Sequence, residues 1–283
     1  MGQRRTYGSL AARGARMKVA VASAPNSHWR AYAGAISAGI AANGDTVLRF
    51  HGPVAPPGVD AVVVWGWRKG ERHRLLGYNV LVMERAYIDR FKWVSLGWNG
   101  LNGRATFPTA PTGRESSHFN QLMKEHLRPW RSAFRGSYAL IMGQVQGDVA
   151  CRNVYLPRWY KQCAETLEAH GWPVRFRPHP QAPLRVGGPR RTTGTLEQDL
   201  IGAAFVVTWN SNSAVDAVLA GVPAVTMDEG SMAWEVTSHS LTEPISMPDR
   251  TGWAARLAWK QWLPEELANG SAWAALKDCM PCN

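Results

Sequence analysis

A run of polar side chains at 208–213, Thr-Trp-Asn-Ser-Asn-Ser, follows an apolar stretch and precedes small apolar residues typical of a helix. Backbone N–H groups at such a helix start, together with hydroxyl and amide side chains, favour a bound anion. We expect Ser211, Asn212 and Ser213 to hold a phosphate or diphosphate. Asp216, in the first turn of that helix, is placed to accept hydrogen bonds from sugar hydroxyls. The alternative for the same residues is a simple helix cap, with Asp216 complementing the helix dipole.

Two further loops offer contacts to an anion. In the segment 177–180, Arg-Pro-His-Pro, the prolines stiffen the chain that presents Arg177 and His179. Arginine donates paired hydrogen bonds to a phosphate, and histidine either donates to it or titrates near neutral pH. Gln144 and Gly147 are the predicted contacts in a second loop, whose glycines permit a ligand to approach the backbone. A plain surface turn is the alternative for 177–180.

Carboxylates that could act as a general base occur in the first half of the chain. Glu84 ends an apolar run and Asp89 follows five residues later, so either could accept a proton from an acceptor hydroxyl. The alternative is that both carboxylates pair with Arg85 and Arg90 on a surface turn. Glu84, Asp89 and His179 are therefore the candidate catalytic residues.

The four cysteines, Cys151, Cys163, Cys279 and Cys282, are too few and too unevenly spaced for a disulfide-built domain. Cys279 and Cys282 have the spacing of half a zinc site, which the other two could complete only in principle. We therefore expect no metal site. The sequence also lacks Gly-x-Gly-x-x-Gly and Gly-x-x-x-x-Gly-Lys-Ser/Thr, which disfavours a dinucleotide oxidoreductase or a P-loop phosphotransferase.

The candidate residues follow apolar runs that alternate with helical patterns, as in parallel sheets covered by helices. Loops at the carboxyl ends of parallel strands meet at one edge of a sheet, where ligands bind. This pattern predicts two α/β units. The predicted organisation is a disordered basic tail at 1–16, a first α/β domain at 17–130, a second at 137–247 and a helical segment at 248–283.

The composition limits the class of protein. Of 283 residues, 45% are hydrophobic and 19% are charged, which excludes general disorder. A net charge of +11 and a pI near 9.9 point to an anionic substrate or a polyanionic partner. The first sixteen residues lack the apolar core of a secretory signal, and no window approaches the roughly eighteen apolar residues of a membrane span. A cytoplasmic location is expected.

The segment 177–180, together with the run from Thr208 to the Gly221-Val222-Pro223 turn, resembles GT-B glycosyltransferases. The nearest likeness is to the capsule-polysaccharide type and to small bacteriophage relatives. It covers about residues 137–245, whereas residues 17–130 match in architecture only. The resemblance implies an α/β fold of two Rossmann-like domains that face a cleft, closed by C-terminal helices that return to the first domain.

The resemblance also implies an activity, the transfer of a sugar from a nucleotide sugar, expected to be a UDP-sugar. The C-terminal domain would bind the donor's diphosphate at His179 and at Ser211 to Ser213, with the ribose near Asp216. No metal or other cofactor would be required, because Arg177, His179 and the helix start would stabilise the leaving diphosphate. The N-terminal domain would supply the acceptor and the base.

The basic charge and the likeness to phage proteins predict DNA as the acceptor, through a hydroxymethylated pyrimidine turned out of the stack in the host cytoplasm. The candidate contacts are aromatic or basic side chains: His28, Trp65, Trp67, Arg68 and Trp98. The alternatives are transfer to a polysaccharide or lipid-linked glycan, a non-catalytic nucleic-acid-binding protein on a degenerate transferase scaffold, and a sugar-nucleotide epimerase. The oligomeric state stays open.

Overall fold

The chain folds into two β-sheets packed with helices, as seen in a computed structural model. The structure describes residues 16–23, 27–109, 126–132, 136–183 and 186–282, without the side chains of residues 27 and 28. The predicted tail, apart from Arg16, and the predicted contact of the His28 side chain lie outside the described residues. The prediction of a mixed α/β fold with two parallel-rich, Rossmann-like sheets is confirmed.

The first sheet has the strand order β11-β5-β4-β3-β1-β2. Strands β1 to β4 run parallel, and β5 pairs antiparallel with β4. The apolar runs of β1, β3 and β4 are nearly continuous, as in strands covered on both faces, whereas β2 lies at the edge of the sheet and is largely exposed. The elements of this half are β1 Lys18–Ala22, α1 Ser27–Ala42, β2 Thr46–Phe50, β3 Ala61–Trp65, α2 Trp67–Leu75, β4 Asn79–Arg85 and β5 Val94–Trp98.

The second sheet is parallel throughout, with the strand order β10-β9-β6-β7-β8. Thr195 and Gln198 form the capping box that opens α4, which fixes where the chain turns back toward β9. The elements are β6 Tyr138–Met142, α3 Leu156–Ala169, β7 Val174–Arg177, β8 Arg190–Arg191, α4 Leu196–Gly202, β9 Ala203–Thr208, α5 Ser213–Leu219 and β10 Ala224–Thr226.

The C-terminal segment returns to the first sheet. It comprises α6 Thr251–Trp259, β11 Gln261–Trp262, α7 Pro264–Ala268 and α8 Ser271–Asp278, and β11 pairs antiparallel with β5. Its large aromatic side chains fill the core beneath α1: Trp259, Trp262 and Trp273 are each at most 1% exposed. At Gly39 of α1, an added Cβ would lie 1.9 Å from the carbonyl oxygen of Leu267, so the close contact between α1 and α7 requires glycine there.

The two halves share an apolar cluster and several polar bridges. Tyr87, Ile88 and Trp93 from the first half pack in the same cluster as Val215 and Val218 of α5. Three arginine–carboxylate pairs cross between the halves: Arg90 donates to Asp216 at 2.8 Å, Arg104 donates to Asp228 at 2.8 Å and 2.9 Å, and Arg152 donates to Glu71 at 2.7 Å and 2.9 Å. These contacts hold the facing edges of the two sheets against each other.

The cysteines lie in different parts of the molecule. Cys151 and Cys163 are buried in the core of the second half, whereas Cys279 packs against the core of the first and Cys282 is exposed. Within the described ranges, no three His, Cys, Asp or Glu side chains are grouped as metal ligands. The same ranges contain no helix that is long and apolar enough to cross a membrane.

Candidate functional site

A cavity of about 400 Å³ opens at the carboxyl-terminal edge of the second sheet, where the loops after β6, β7 and β9 converge. Its volume is within the range of small-molecule sites. Both halves of the chain line it: Arg90 comes from the first, and Gly143, His179, Ser211, Ser213 and Asp216 come from the second. The structure thus brings together three segments of the second half that the sequence indicates as ligand-binding: the loops that begin at Gly143 and Arg177, and the start of α5.

The start of α5 presents polar atoms that have no protein partner. The hydroxyl of Ser213 and the side-chain oxygen of Asn212 are buried and make no hydrogen bond within the part of the chain that the structure describes. Ser213 is only 8% exposed and lines the cavity. The hydroxyl of Ser211 accepts a hydrogen bond from the Ser213 amide at 3.2 Å. A buried unsatisfied hydroxyl is costly, so Ser213 is the group here that gains most from a ligand.

His179 lines the same cavity on the loop after β7. Its Nδ1 accepts a hydrogen bond from the Gln181 amide at 3.2 Å, which leaves the proton of the neutral ring on Nε2. Burial lowers the pKa of His179, an effect that the carboxylate of Asp148 opposes and the Arg90 guanidinium reinforces. The ring is therefore neutral at neutral pH and offers a donor on Nε2.

Gly143 allows the loop that carries His179 to lie against the end of β6. An added Cβ at position 143 would lie 2.8 Å from the amide nitrogen of His179 and 3.0 Å from the carbonyl oxygen of Arg177. Both neighbours are backbone atoms, so a side chain would push the loop away from the cavity. The glycine thus positions His179.

Arg177 is committed to a structural ion pair. Its guanidinium donates to a side-chain oxygen of Asp199, a buried residue, and to the carbonyl oxygen of Gly194 at 2.6 Å. Thr192 donates to the same Asp199 oxygen at 2.8 Å. Arg177 borders the cavity, but its charge is neutralised by Asp199. The prediction that Arg177 binds a diphosphate is therefore not supported by its contacts.

Gln144 is an internal brace between the loops after β6 and β9. Its amide donates to Asn210 at 2.9 Å and to the sulfur of Cys151 at 3.0 Å, and its oxygen accepts from Thr208 at 3.0 Å. Every polar group of this side chain is used by the protein, so the predicted contact with a donor is not available to it. Gly147 has a φ of 79° in a turn that glycine favours, outside the cavity lining.

Asp216 forms an ion pair across the cleft instead of lying free for a sugar. Its carboxylate accepts from Arg90 at 2.8 Å. Burial raises the pKa of Asp216 to about 6, although Arg90 and His126 lower it. The pair borders both the 400 Å³ cavity and a neighbouring one of about 540 Å³. Arg90 bonds to one carboxylate oxygen of Asp216, so a ligand in either cavity competes with Arg90 for this carboxylate.

Glu84 has the electrostatics of a general base. It lies near the end of β4, and its Oε1 accepts a hydrogen bond from the Trp67 amide at 3.2 Å. Burial raises the pKa of Glu84 to about 7; the Trp67 hydrogen bond and Arg85 lower it, and the carboxylate of Asp148 raises it. A carboxyl that titrates near neutral pH takes and returns protons efficiently. The carboxylate of Asp148 raises the pKa of both Glu84 and His179.

The other predicted base, Asp89, has a different environment. Its side chain is 45% exposed, lies 3.5 Å from Nε2 of His126 and sits on a backbone with a φ of 46°. It borders the larger neighbouring cavity and does not line the one that holds His179. Burial and a raised pKa therefore distinguish Glu84 from the more exposed Asp89.

The aromatic acceptor contacts predicted from the sequence are largely core residues. Trp98 is fully buried and its indole N–H donates to the Leu276 carbonyl at 2.8 Å, so the prediction that it contacts an acceptor is wrong. Trp65 is 9% exposed and stacks on Trp29 with ring centroids 4.9 Å apart, which also removes it from the surface. Trp67 lines a small cleft pocket of about 200 Å³ between the halves.

Sequence reasoning missed two site residues. The sequence indicates Arg90 only as a partner for nearby carboxylates, and it assigns no role to Asp148. Arg90 lies in the site because it bonds to Asp216, which is 126 residues away in the sequence, and no local pattern reveals such a contact. The signal for Asp148 was its place directly after Gly147 at a strand end.

Comparison with known proteins identifies the fold. Two solved structures of KpsC from Thermosulfurimonas dismutans match nearly the whole chain. The β-Kdo 2,4 transferase is 14% identical with a TM-score of 0.55, covering 87% of this chain and 90% of that one. The β-Kdo 2,7 transferase is 12% identical with a TM-score of 0.54, covering 93% and 100%. No family model and no curated protein sequence matches. The chain therefore shares its fold with these glycosyltransferases.

Proposed function

We propose that this protein is a glycosyltransferase of the GT-B type that moves a sugar from a nucleotide sugar to an acceptor hydroxyl. The observation that carries the proposal is the 400 Å³ cavity lined by both halves, with buried unpartnered Ser213 and neutral His179 on one side. Glu84, with a pKa near 7, belongs to the other half. This division, with a donor site in one domain and a base in the other, fits transfer across a cleft.

The donor's phosphate groups bind at the start of α5 and the loop after β7. The hydroxyl of Ser213 and Nε2–H of His179 donate to the phosphate oxygens, and Arg90 turns from Asp216 to the leaving nucleotide. Fixed donors aimed at the developing negative charge lower the barrier because they need no reorganisation during the reaction. These groups supply the stabilisation without a metal ion. Asp216, once released by Arg90, accepts hydrogen bonds from the ribose.

Glu84 accepts the proton of the attacking acceptor hydroxyl. The oxygen attacks the anomeric carbon of the sugar, the bond from that carbon to the phosphate oxygen breaks, and the nucleotide leaves with the bonding electrons. General-base assistance of this kind contributes about 10²–10⁴ in rate. Trp67 holds Glu84 through its amide and lines the adjoining cleft pocket, where the acceptor approaches.

The acceptor predicted from the sequence is a hydroxymethylated pyrimidine in DNA. Burial of Trp65 and Trp98 removes two of the surfaces on which a flipped base would stack. The alternative acceptor is a polysaccharide or lipid-linked glycan, and a concave basic pocket in the first half fits an anionic group of either acceptor. Incubation of the protein and donor with hydroxymethylated DNA and with phosphorylated or lipid-linked glycans, followed by mass spectrometry, identifies the acceptor.

A thermal-shift panel of nucleotide sugars tests the donor site. UDP-, CMP-, GDP- and dTDP-sugars are compared with their free sugars, since a bound donor raises the melting temperature by mass action. We expect a shift by at least one nucleotide sugar, lost in His179→Ala and retained in His170→Ala, an exposed histidine on the far side of the fold. Ser213→Ala should also lose the shift without lowering the melting temperature of the free protein, because its hydroxyl has no protein partner. No shift by any nucleotide sugar at millimolar concentration would contradict the proposal.

A further inference from the structure

A basic pocket of about 420 Å³ lies in the first half, apart from the donor cavity. It occurs at the carboxyl ends of β1, β2 and β3, the edge of a parallel sheet where ligands bind. The polar lining includes Arg68, Lys69 and Arg72 of α2 with Ser23 and His51 from the strand ends, and the lining contains no acidic residue. We call this site the basic pocket.

The three cations of the basic pocket are exposed and make no ion pair within the described residues. The nearest acid on the helix, Glu71, is held by both terminal nitrogens of Arg152 in the other half. The positive charge of the pocket is therefore not balanced by the protein.

The cations at the start of α2 disfavour the helix, whereas Arg72 and Arg74 lie in its last turn, where the helix dipole favours positive charge. Arg68 and Lys69 lie in the first turn, where the helix dipole disfavours cations, and that turn contains no acidic residue. Arg68 and Arg72 are spaced i, i+4, so their like charges face each other on the helix surface. Charges that disfavour their own helix are expected mainly at functional sites, where a bound ligand offsets the cost. A bound anion would relieve both conflicts.

His73 forms part of the pocket wall. Its Nδ1 bonds to the Lys69 carbonyl oxygen at 2.9 Å and its Nε2 accepts from the Ala55 amide at 3.2 Å, so both nitrogens of the buried ring are used by the protein. Phe50 and Val64 add an apolar floor. The pocket thus combines a partly apolar base with exposed cationic side chains.

The start of α2 connects the basic pocket to the proposed base. Arg68 immediately follows Trp67, whose amide holds Glu84. Trp67 and Glu71 of α2 face the other half of the chain, whereas Arg68 and Arg72 face the basic pocket. The start of α2 is therefore shared between the cleft and the pocket.

We propose that the basic pocket binds a phosphate group of the acceptor and so holds the attacking hydroxyl beside Glu84. This assignment rests on the proposed function. Arginine forms paired hydrogen bonds with phosphate oxygens, and Lys69 adds a third cation, which suits a phosphate ester. A sugar phosphate and an anionic lipid headgroup offer the same group and are separated by the probes below.

Glucose 6-phosphate and glucose are titrated into the full chain by calorimetry, and vesicles of phosphatidylglycerol or phosphatidylcholine are tested by flotation. The wild-type protein should bind glucose 6-phosphate or the phosphatidylglycerol vesicles and neither neutral counterpart. Arg68→Gln/Arg72→Gln should weaken this binding by about tenfold or more, because each substitution removes a charged hydrogen bond to the phosphate and so lowers the affinity. The matched control Arg49→Gln/Arg74→Gln removes two charges from the same domain outside the pocket and should change it less than about twofold.

The donor-site variant His179→Ala separates this proposal from the proposed function. Retained phosphate binding in His179→Ala, with loss in Arg68→Gln/Arg72→Gln, supports the basic pocket. The proposal is overturned if phosphate binding is lost in His179→Ala but kept in Arg68→Gln/Arg72→Gln, or if the control variant loses as much binding as Arg68→Gln/Arg72→Gln. It is also overturned if the wild type binds neither phosphate probe, whether or not it binds duplex DNA. If the protein binds glucose 6-phosphate in this pocket but binds no nucleotide sugar, the proposed glycosyltransferase function is contradicted and the phosphate site in the basic pocket is still supported.

Discussion

Replacing Glu84 with glutamine should stabilise the protein at alkaline pH while removing its activity. Burial raises the pKa of Glu84 from its ordinary value of 4.5 to about 7. Ionising this carboxyl in the folded protein at pH 8 and above therefore costs about 3 kcal/mol, since each tenfold change in acidity corresponds to 1.36 kcal/mol. Glutamine keeps the oxygen that accepts the Trp67 hydrogen bond and carries no charge.

The difference in the free energy of unfolding between Glu84→Gln and wild type should depend on pH. Below pH 4.5 Glu84 is protonated in both the folded and the unfolded chain, and the variant and wild type should have similar free energies of unfolding. Between pH 4.5 and about 7 the folded state binds the extra proton, so wild-type stability falls relative to Glu84→Gln as the pH rises. The advantage of the variant should grow by at most about 1.4 kcal/mol per pH unit and level off above pH 7.

Urea unfolding at pH 5.5, 7 and 8.5 measures this advantage. The control Glu168→Gln, at an exposed position on α3, should change the free energy of unfolding by less than about 0.5 kcal/mol at every pH. A constant difference between Glu84→Gln and wild type over this range, or one that shrinks with rising pH, would refute the raised pKa. The reasoning about the base also fails if Glu84→Gln keeps full activity while Asp89→Asn loses it.

Three further variants test the supports of the site. Gly143→Ala should weaken nucleotide-sugar binding in calorimetry by about tenfold or more, because its Cβ would displace the backbone of His179; unchanged affinity would argue against this positioning. Arg177→Ala should lower the free energy of unfolding by about 3 kcal/mol, because it leaves the buried carboxylate of Asp199 without its ion-pair partner. If the variant instead loses donor affinity and keeps its stability, Arg177 contacts the donor. Gly39→Ala should destabilise the protein by about 2 kcal/mol in urea unfolding, by forcing α1 from α7; a neutral result would contradict that packing.

Much of the fold follows from local patterns. The apolar runs at 60–66 and 204–208 predict buried parallel strands because no polar face interrupts them, and the Thr195 capping box marks the start of a helix. The return of β11 to the first sheet depends on contacts between residues about 165 apart, such as Gln261 with Ser95, and its two-residue length gives no strand pattern.

The site was harder to predict because the same residue types serve structure and ligand binding. Gln144 and Arg177 follow strand ends, as ligand contacts do, but their hydrogen bonds are used by Asn210 and Asp199. Trp98 could be an exposed stacking platform or a core residue, and only the position of α8 decides between them. The raised pKa of Glu84 depends on its burial in the folded protein and on the carboxylate of Asp148 in the other half of the chain, which sequence spacing does not contain.

The central claim is that this cleft transfers a sugar from a nucleotide, and the most direct test is to measure nucleotide release. The wild-type protein is incubated with each nucleotide sugar that raises its melting temperature, with and without candidate acceptors, and the products are quantified by liquid chromatography and mass spectrometry. We predict release of nucleotide with an equal amount of glycosylated product, slowed by at least about 10²-fold in Glu84→Gln with donor binding intact. No nucleotide release by the wild type from any donor that it binds would contradict the account.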